Sequence, residues 1–210
     1  SAAYMAIKDM HILSRPTKLD LLSLHQTFIE HILYGWDILD YASHLTLTTL
    51  ALHNYRATFS KSNIYTLPAG IGKSRKIHFG SLDHLWSQMD LVGRGFVDST
   101  VQKNMEGEKE VHITPPECDV VIMNPPFSRS ANPKVKFGYS EDDIKKAMDN
   151  ELKKLTRILG MEGIGQAGLG AYFILLGDKL LRAGGRMGIV IPRAILSGVS
   201  WDKIRKILSG

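Results

Sequence analysis

Residues 118–127 read Cys-Asp-Val-Val-Ile-Met-Asn-Pro-Pro-Phe, an apolar and partly β-branched run that ends in two prolines. A run of this kind predicts a strand that is covered on both faces, as in a parallel sheet. Each proline fixes φ at about −65° and lacks an N–H, so the strand should end in a rigid turn. The carbonyl groups of that turn are then free to accept hydrogen bonds from a ligand.

Strand and helix patterns alternate along the rest of the chain. Thr17 and Asp20 resemble a capping box that begins the second helix. The buried stripe of this helix is expected to consist of Leu21, Leu24, Phe28 and Ile32. The helix after Gly170 should end at Gly184-Gly185. Predicted strands cover residues 31–38, 76–79, 118–123 and 186–192, and predicted helices include 1–13, 40–53, 141–159, 171–181 and 201–208.

This alternation predicts a single α/β domain with a mostly parallel sheet over residues 1–210. In the helix 40–53, Leu45, Leu52 and the alanines are expected on the buried side. Residues 56–74 read as a polar loop. Residues 93–116 and 128–168 read as insertions.

Composition narrows the class of protein. The 210 residues are 44% hydrophobic and 22% charged, a balance that argues against disorder, a collagenous repeat or a disulfide scaffold. Cys118 is the only cysteine, which favours a reducing compartment. The apolar stretches are too short to span a bilayer and no signal peptide is evident, so we expect a cytoplasmic protein without a membrane partner. The net charge of +5 is compatible with a polyanionic partner.

Asn124 and Pro125 supply the chemistry of the predicted turn. The side-chain oxygen of Asn124 and the carbonyl of Pro125 make two adjacent acceptors at the carboxyl end of a strand, where α/β sheets bind ligands. Two such acceptors suit one NH2 group, and accepting both of its hydrogens favours a pyramidal nitrogen with a localised lone pair. Phe127 offers a surface on which a planar base could stack. The alternative is a Pro-Pro turn that only ends the strand, with Phe127 in the core.

The tetrapeptide Asn124-Pro125-Pro126-Phe127 resembles the catalytic motif of the S-adenosylmethionine-dependent amino methyltransferases, in particular the N6-adenine DNA methylases of restriction-modification type. The resemblance implies a Rossmann-like fold, double-stranded DNA as partner and a target adenine that is flipped out of the duplex. It implies that Asn124 and Pro125 hold the amine, that Pro126 shapes the turn and that Phe127 stacks on the base. RNA guanine-N2 and protein-glutamine methylases share the motif, and a non-catalytic interaction subunit could keep the fold.

Further segments resemble cofactor-binding motifs of the same family. Asp37, in the segment Tyr-Gly-Trp-Asp-Ile before a helix, resembles the acid that binds the ribose hydroxyls of S-adenosylmethionine, and Ile38 would pack on the adenine ring. Asp37 could instead cap the next helix. Residues 77–83 resemble the motif that contacts the cofactor adenine. Family members commonly have an acid where Ser81 stands, so the contact could involve Ser81, Leu82 or Asp83.

Residues 170–173 and 180–192 resemble the half of these methylases that follows the catalytic motif. Phe173 would line the cofactor or target pocket beside Asn124, or pack in the core. The family's Gly-x-Gly cofactor loop has no counterpart before Gly35. We therefore expect a fragment truncated at both ends that binds the cofactor weakly and is inactive alone, with target recognition by a domain or subunit outside it. The eight histidines show no metal-ligand spacing, so no metal is expected.

Overall fold

The computed structural model describes residues 5, 6, 9, 10, 13, 20–71, 77–87, 100–104, 107–111, 115–126 and 142–209. They belong to two compact units. The first unit comprises residues 1–68 and 99–111, and the second comprises residues 69–98 and 112–210. No helix among the described residues is both long enough and apolar enough to cross a membrane.

The first unit contains α1 (Leu21–Thr27), a π-helical turn (Phe28–Ile32), β1 (Tyr34–Asp37), α2 (Asp40–Leu52) and β2 (Asn63–Thr66). Strands β3 (Ala69–Ile71) and β4 (Ile77–Phe79), a 3-10 turn (Gly80–Asp83) and α3 (His84–Ser87) belong to the second unit. Strands β5 (Thr100–Asn104) and β6 (Gly107–Val111) complete the first unit.

The remaining elements all lie in the second unit. They are β7 (Cys118–Met123), α4 (Asp142–Ile158), a 3-10 turn (Ile164–Ala167), α5 (Leu169–Leu180), β8 (Leu181–Ile189), two 3-10 turns (Arg193–Leu196 and Val199–Trp201) and α6 (Asp202–Ser209).

The sheet of the first unit has the order β1-β2-β5-β6. Strands β1 and β2 are parallel, with Asp37 opposite Thr66 at their carboxyl ends, whereas β5 and β6 form an antiparallel hairpin that pairs with β2. Helix α2 connects the two parallel strands. The core of the first unit consists of Ile29, Leu47, Leu50 and Ile64, and Leu33 and Phe59 pack against this core.

Several expectations for the first unit were wrong in detail. The side chain of Asp20 caps α1 by accepting the N–H groups of Leu22 and Ser23, whereas Thr17 lies outside the described residues. Leu21 and Ile32 are exposed. The predicted strand from residue 31 begins only at Tyr34, because the π-helical turn extends to Ile32.

Helix α2 has the predicted position in the chain, but the face that is buried is opposite to the predicted one. Leu45 and Leu52 are exposed, and Ser43, Leu47 and Leu50 are buried. Apolar side chains occur on all sides of this helix, so the periodicity of its sequence could not identify the face that packs on the sheet. Residues 56–74, predicted as a loop, contain β2 and β3, and residues 93–116 contain the β5–β6 hairpin. The sequences of these short strands contain no long apolar run. They are extended because they form hydrogen bonds with neighbouring strands, which a local sequence pattern does not predict.

The second unit contains the strand predicted at residues 118–123. Strand β7 pairs in parallel with β8, from Val120 opposite Arg186 to Met123 opposite Ile189. Helix α5 passes directly into β8 at Leu181, which lies opposite Cys118. The predicted helix end at Gly184-Gly185 was therefore wrong, because both glycines lie within β8. Gly184, with φ 77°, lies where the register of the two strands shifts.

Coverage of the β7–β8 sheet differs from the prediction. Helix α5 packs on the face that carries Val121 and Met123, whereas Val120 and Ile122 on the other face are 55% and 71% exposed. An α/β fold is nevertheless confirmed. The strand pairs β1–β2 and β7–β8 are parallel. Each of the antiparallel pairs β2–β5, β3–β4 and β5–β6 includes at least one strand from a segment predicted as loop or insertion, whereas β4 lies in the predicted strand 76–79.

Candidate active site

The turn after β7 carries the two predicted acceptors, the side chain of Asn124 and the carbonyl of Pro125. The backbone N–H of Val190 donates to the carbonyl of Met123 at 3.1 Å, so the pairing with β8 reaches the last residue of β7. Asn124 and Pro126 are exposed and Pro125 is buried. No described residue donates a hydrogen bond to the side chain of Asn124 or to the carbonyl of Pro125. Phe127 lies outside the described residues.

Phe173 lies close to the level of this turn. A Cβ atom at Gly177 would lie 3.1 Å from Cε of Met123, so this part of α5 packs at the carboxyl end of β7. Phe173 precedes Gly177 by one helical turn on the same face, about 6 Å along the axis. Because α5 ends at the amino end of β8, that step runs toward Asn124. Phe173 is half-buried, as either of its expected roles requires.

The turn at Gly80–Asp83 packs against α5 in the same unit. Gly80 has φ 63°, a conformation that favours glycine. The carboxylate of Asp83 accepts the backbone N–H of Phe79 at 2.8 Å, and its other oxygen lies 3.2 Å from Nδ1 of His78. Leu82 is buried, whereas Ser81 is half-buried. The side chain of Asp83 is thus occupied within its own turn, and Ser81 is the polar side chain left at its surface.

Two buried groups beside this turn and α5 are held neutral. Burial lowers the pKa of His84 to about 4, so this imidazole is uncharged near neutral pH. Burial raises the pKa of Tyr172, and the charge of Asp149 acts in the same direction. Both side chains belong to the core of the unit, which supports the Ser81 turn and the helix that carries Phe173.

Asp37 and Ile38 lie in the first unit, at the carboxyl end of β1. One carboxylate oxygen of Asp37 accepts the backbone N–H of Leu39 at 2.9 Å. Leu39 is the N-cap residue of α2, so Asp37 fixes the residue at the start of this helix but does not itself cap the helix. No described residue donates to its second oxygen. Ile38 is 55% exposed. The carboxyl end of β1 thus presents an exposed carboxylate followed by an exposed apolar side chain.

Two further polar residues near strand ends were not among the predicted site residues. Thr66 lies opposite Asp37, and its hydroxyl donates to Oγ of Ser43 at 3.1 Å. Thr66 was not identified from the sequence because a loop was predicted over this segment. Arg193 follows β8 and is exposed. The pair Pro192-Arg193 directly after a strand was the signal that could have identified this second residue.

These features define an α/β protein whose candidate ligand-binding groups lie at the carboxyl ends of parallel strands. The model of the Eco57I restriction-modification methylase family matches residues 31–210, so the chain belongs to this family. The predicted relation to restriction-modification methylases is thereby confirmed. No curated protein and no solved structure matches the chain significantly. Membership in the family indicates methyl transfer to DNA as the activity.

Proposed function

We propose that this chain carries the catalytic residues of an S-adenosylmethionine-dependent methyltransferase acting on the N6 amine of adenine in DNA, with a Rossmann-like arrangement of its sheet. The observation that carries the proposal is that no described residue donates a hydrogen bond to Asn124 or to the carbonyl of Pro125, the two acceptors directly after β7. Family membership supports DNA as the substrate. The paired acceptors support an NH2 group as the atom that is modified.

Asn124 and Pro125 act on the nitrogen of the substrate. The side-chain oxygen of Asn124 and the carbonyl of Pro125 each accept one hydrogen of the amine, which localises the lone pair of the nitrogen. Bound S-adenosylmethionine would supply a methyl group on a sulfonium sulfur, which leaves as the neutral thioether, and the methylated nitrogen would release one proton to water. Because Pro125 is buried and Pro126 fixes the turn, the acceptors are preorganised, and loss of one should cost about 10²–10³ in rate by comparison with oxyanion-hole donors.

The surrounding residues bind and orient. Asp37 accepts the ribose hydroxyls through its second carboxylate oxygen, and Ile38 packs against the adenine of the cofactor. In the second unit, Ser81 is the residue that would contact the cofactor, while Asp83 holds the turn that presents Ser81. Phe173 forms a wall of the pocket for the target base, which leaves the duplex to reach Asn124. Phe127 stacks on that base.

The test is a transfer assay with tritiated S-adenosylmethionine and the full-length protein on DNA, RNA and protein substrates. We expect label in DNA, recovered as N6-methyladenine after digestion to nucleosides. Asn124→Ala should lower kcat by about 10²–10³ and leave the cofactor Kd within a few fold. Asp37→Ala should instead weaken cofactor binding.

Asn150→Ala is the matched control, because Asn150 is an exposed asparagine of α4. It should leave both kcat and the cofactor Kd unchanged. Label in RNA or protein alone would overturn the choice of substrate. Unchanged turnover of Asn124→Ala would remove the paired acceptors from the mechanism.

A further inference from the structure

Residues 192–201 form a loop, here named the β8 loop, that leaves the sheet beside the candidate active site. The loop follows β8, and β8 is parallel to β7, so it starts at the same end of the sheet as Asn124. Val190 is hydrogen-bonded to Met123, and Pro192 has extended dihedrals with φ −60° and ψ 143°. Arg193 therefore lies about 10 Å beyond Val190 along the strand direction.

The β8 loop is held in one conformation by Arg205. One guanidinium nitrogen of Arg205 donates to the carbonyls of Ile195 and Gly198, each at 2.9 Å. The backbone N–H of Gly198 donates to Ala194 at 2.7 Å. Trp201, at the end of the loop, is buried. The loop is thus a fixed part of the unit.

This fixed loop presents apolar side chains to solvent. Leu196 is 74% exposed and Val199 is 90% exposed. The loop is held by buried Trp201 and by hydrogen bonds to the carbonyls of Ala194, Ile195 and Gly198. The exposed side chains of Leu196 and Val199 therefore contribute little to the core. They are placed where a partner could contact them, at the end of the sheet that carries Asn124.

Arg193 is an exposed cation at this end of the sheet. Several cations of α4 and α6 have acidic partners, in the pairs Lys146–Asp143, Lys153–Asp149, Lys154–Glu151, Arg157–Glu162 and Lys206–Asp202. Arg193, like Lys179 of α5 and Lys203 of α6, has no carboxylate partner among the described residues. Arg193 differs from these two lysines in its position, because it follows β8 at the end of the sheet that carries Asn124.

We infer that the β8 loop contacts the DNA strand next to the target adenine, with Arg193 on a backbone phosphate and Leu196 and Val199 against the unstacked neighbours of the flipped base. The inference rests on the proposed function and adds the residues that position its substrate. One DNA strand presents a phosphate about every 3.4 Å along the helix axis, so a phosphate flanking the target lies within reach of Arg193. Apolar wedges beside extruded or kinked base steps are a known mode of contact.

The first test compares Arg193→Gln with Arg186→Gln. Arg186 is an exposed arginine within β8 that lies about 13 Å before the turn at Asn124. Binding of the full-length protein to a fluorescein-labelled DNA duplex is measured over a series of salt concentrations. Arg193→Gln should reduce the slope of log K against log salt by about 1, and Arg186→Gln should not. In the transfer assay Arg193→Gln should raise KM for DNA several-fold and leave kcat within about twofold.

The second test concerns the apolar contact. Leu196→Ala should lower kcat/KM on a fully paired duplex, and most of the loss should disappear when the target adenine is mispaired, because a mispaired base costs less to extrude. An equal loss on both duplexes would identify Leu196 as structural only and overturn its role.

The outcomes separate the two proposals. If the protein methylates DNA and the salt slope of Arg193→Gln equals that of the wild type, the inference about the loop fails and the proposed function stands. If the protein methylates no DNA but Arg193→Gln alone lowers the salt slope, the loop contact stands and the proposed function fails.

Discussion

The carboxylate of Asp83 accepts the backbone N–H of Phe79 at 2.8 Å and thereby closes the turn at Gly80. The second oxygen of the same carboxylate faces His78, which is buried. Asp83 therefore stabilises the turn from within. This arrangement favours Ser81 over Asp83 as the residue that faces the cofactor.

Asp83→Ala should lower the free energy of unfolding by about 1–3 kcal/mol, because the part-buried N–H of Phe79 loses its acceptor. Ser81→Ala should change stability by no more than about 0.5 kcal/mol, yet it should weaken cofactor binding. Urea unfolding and isothermal calorimetry with the cofactor measure the two effects. The reverse pattern, with stability lost at Ser81 and retained at Asp83, would contradict these roles.

Glu30 connects the π-helical turn to the segment that precedes β2. Its carboxylate accepts the N–H and hydroxyl of Ser60 at 2.6 and 3.1 Å, and the Ser60 N–H lowers the pKa of Glu30. A carboxyl with a lowered folded pKa stabilises the fold above its unfolded pKa, and that stabilisation is lost as pH falls through the folded value. Glu30→Gln should therefore lower the urea midpoint at pH 7, and the difference from wild type should shrink near pH 3. A difference independent of pH would show that the charge of Glu30 is not involved.

His84 predicts a separate dependence on pH. Because the pKa of His84 is about 4 in the fold and the ordinary pKa of histidine is 6.5, the unfolded chain binds more protons between these values. Stability therefore falls as pH decreases through this window. Between pH 7.5 and pH 5 this single group should cost about 2 kcal/mol. Urea unfolding of wild type and His84→Gln at both values checks the effect, since the variant should lose less stability on acidification. An identical loss in both proteins would exclude His84 as the source.

Gly198 tests the rigidity of the β8 loop. A Cβ atom there would lie 2.8 Å from the carbonyl oxygen of Ala194, so Gly198→Ala must displace backbone. We expect a loss of about 1–3 kcal/mol in unfolding free energy. Gly188→Ala is the control, because its Cβ would meet only Cγ1 of Ile122 at 3.9 Å. Similar unfolding midpoints for the two variants would show that the loop adapts and is not held as described.

Local patterns were sufficient for the elements that depend on few distant contacts. The run at residues 118–123 is a strand because its side chains favour a pleated, buried conformation, and the prolines that follow it stop the strand at Asn124. The helices at residues 40–53 and 141–159 were predicted within a few residues because their periodicity is a local property. The position of Asp37 at the end of a strand also followed from sequence.

The sequence by itself determined an α/β chain with an acceptor turn after an apolar strand and an acid after an earlier one, since both depend on neighbours along the chain. Only the tertiary structure decided which strands pair, that α2 buries Leu47 in place of Leu45, that Asp83 is occupied by Phe79, and that Arg193 lies at the Asn124 end of the sheet. These outcomes depend on contacts between residues far apart in sequence. Their free energy arises only when the elements pack, so no local pattern records it.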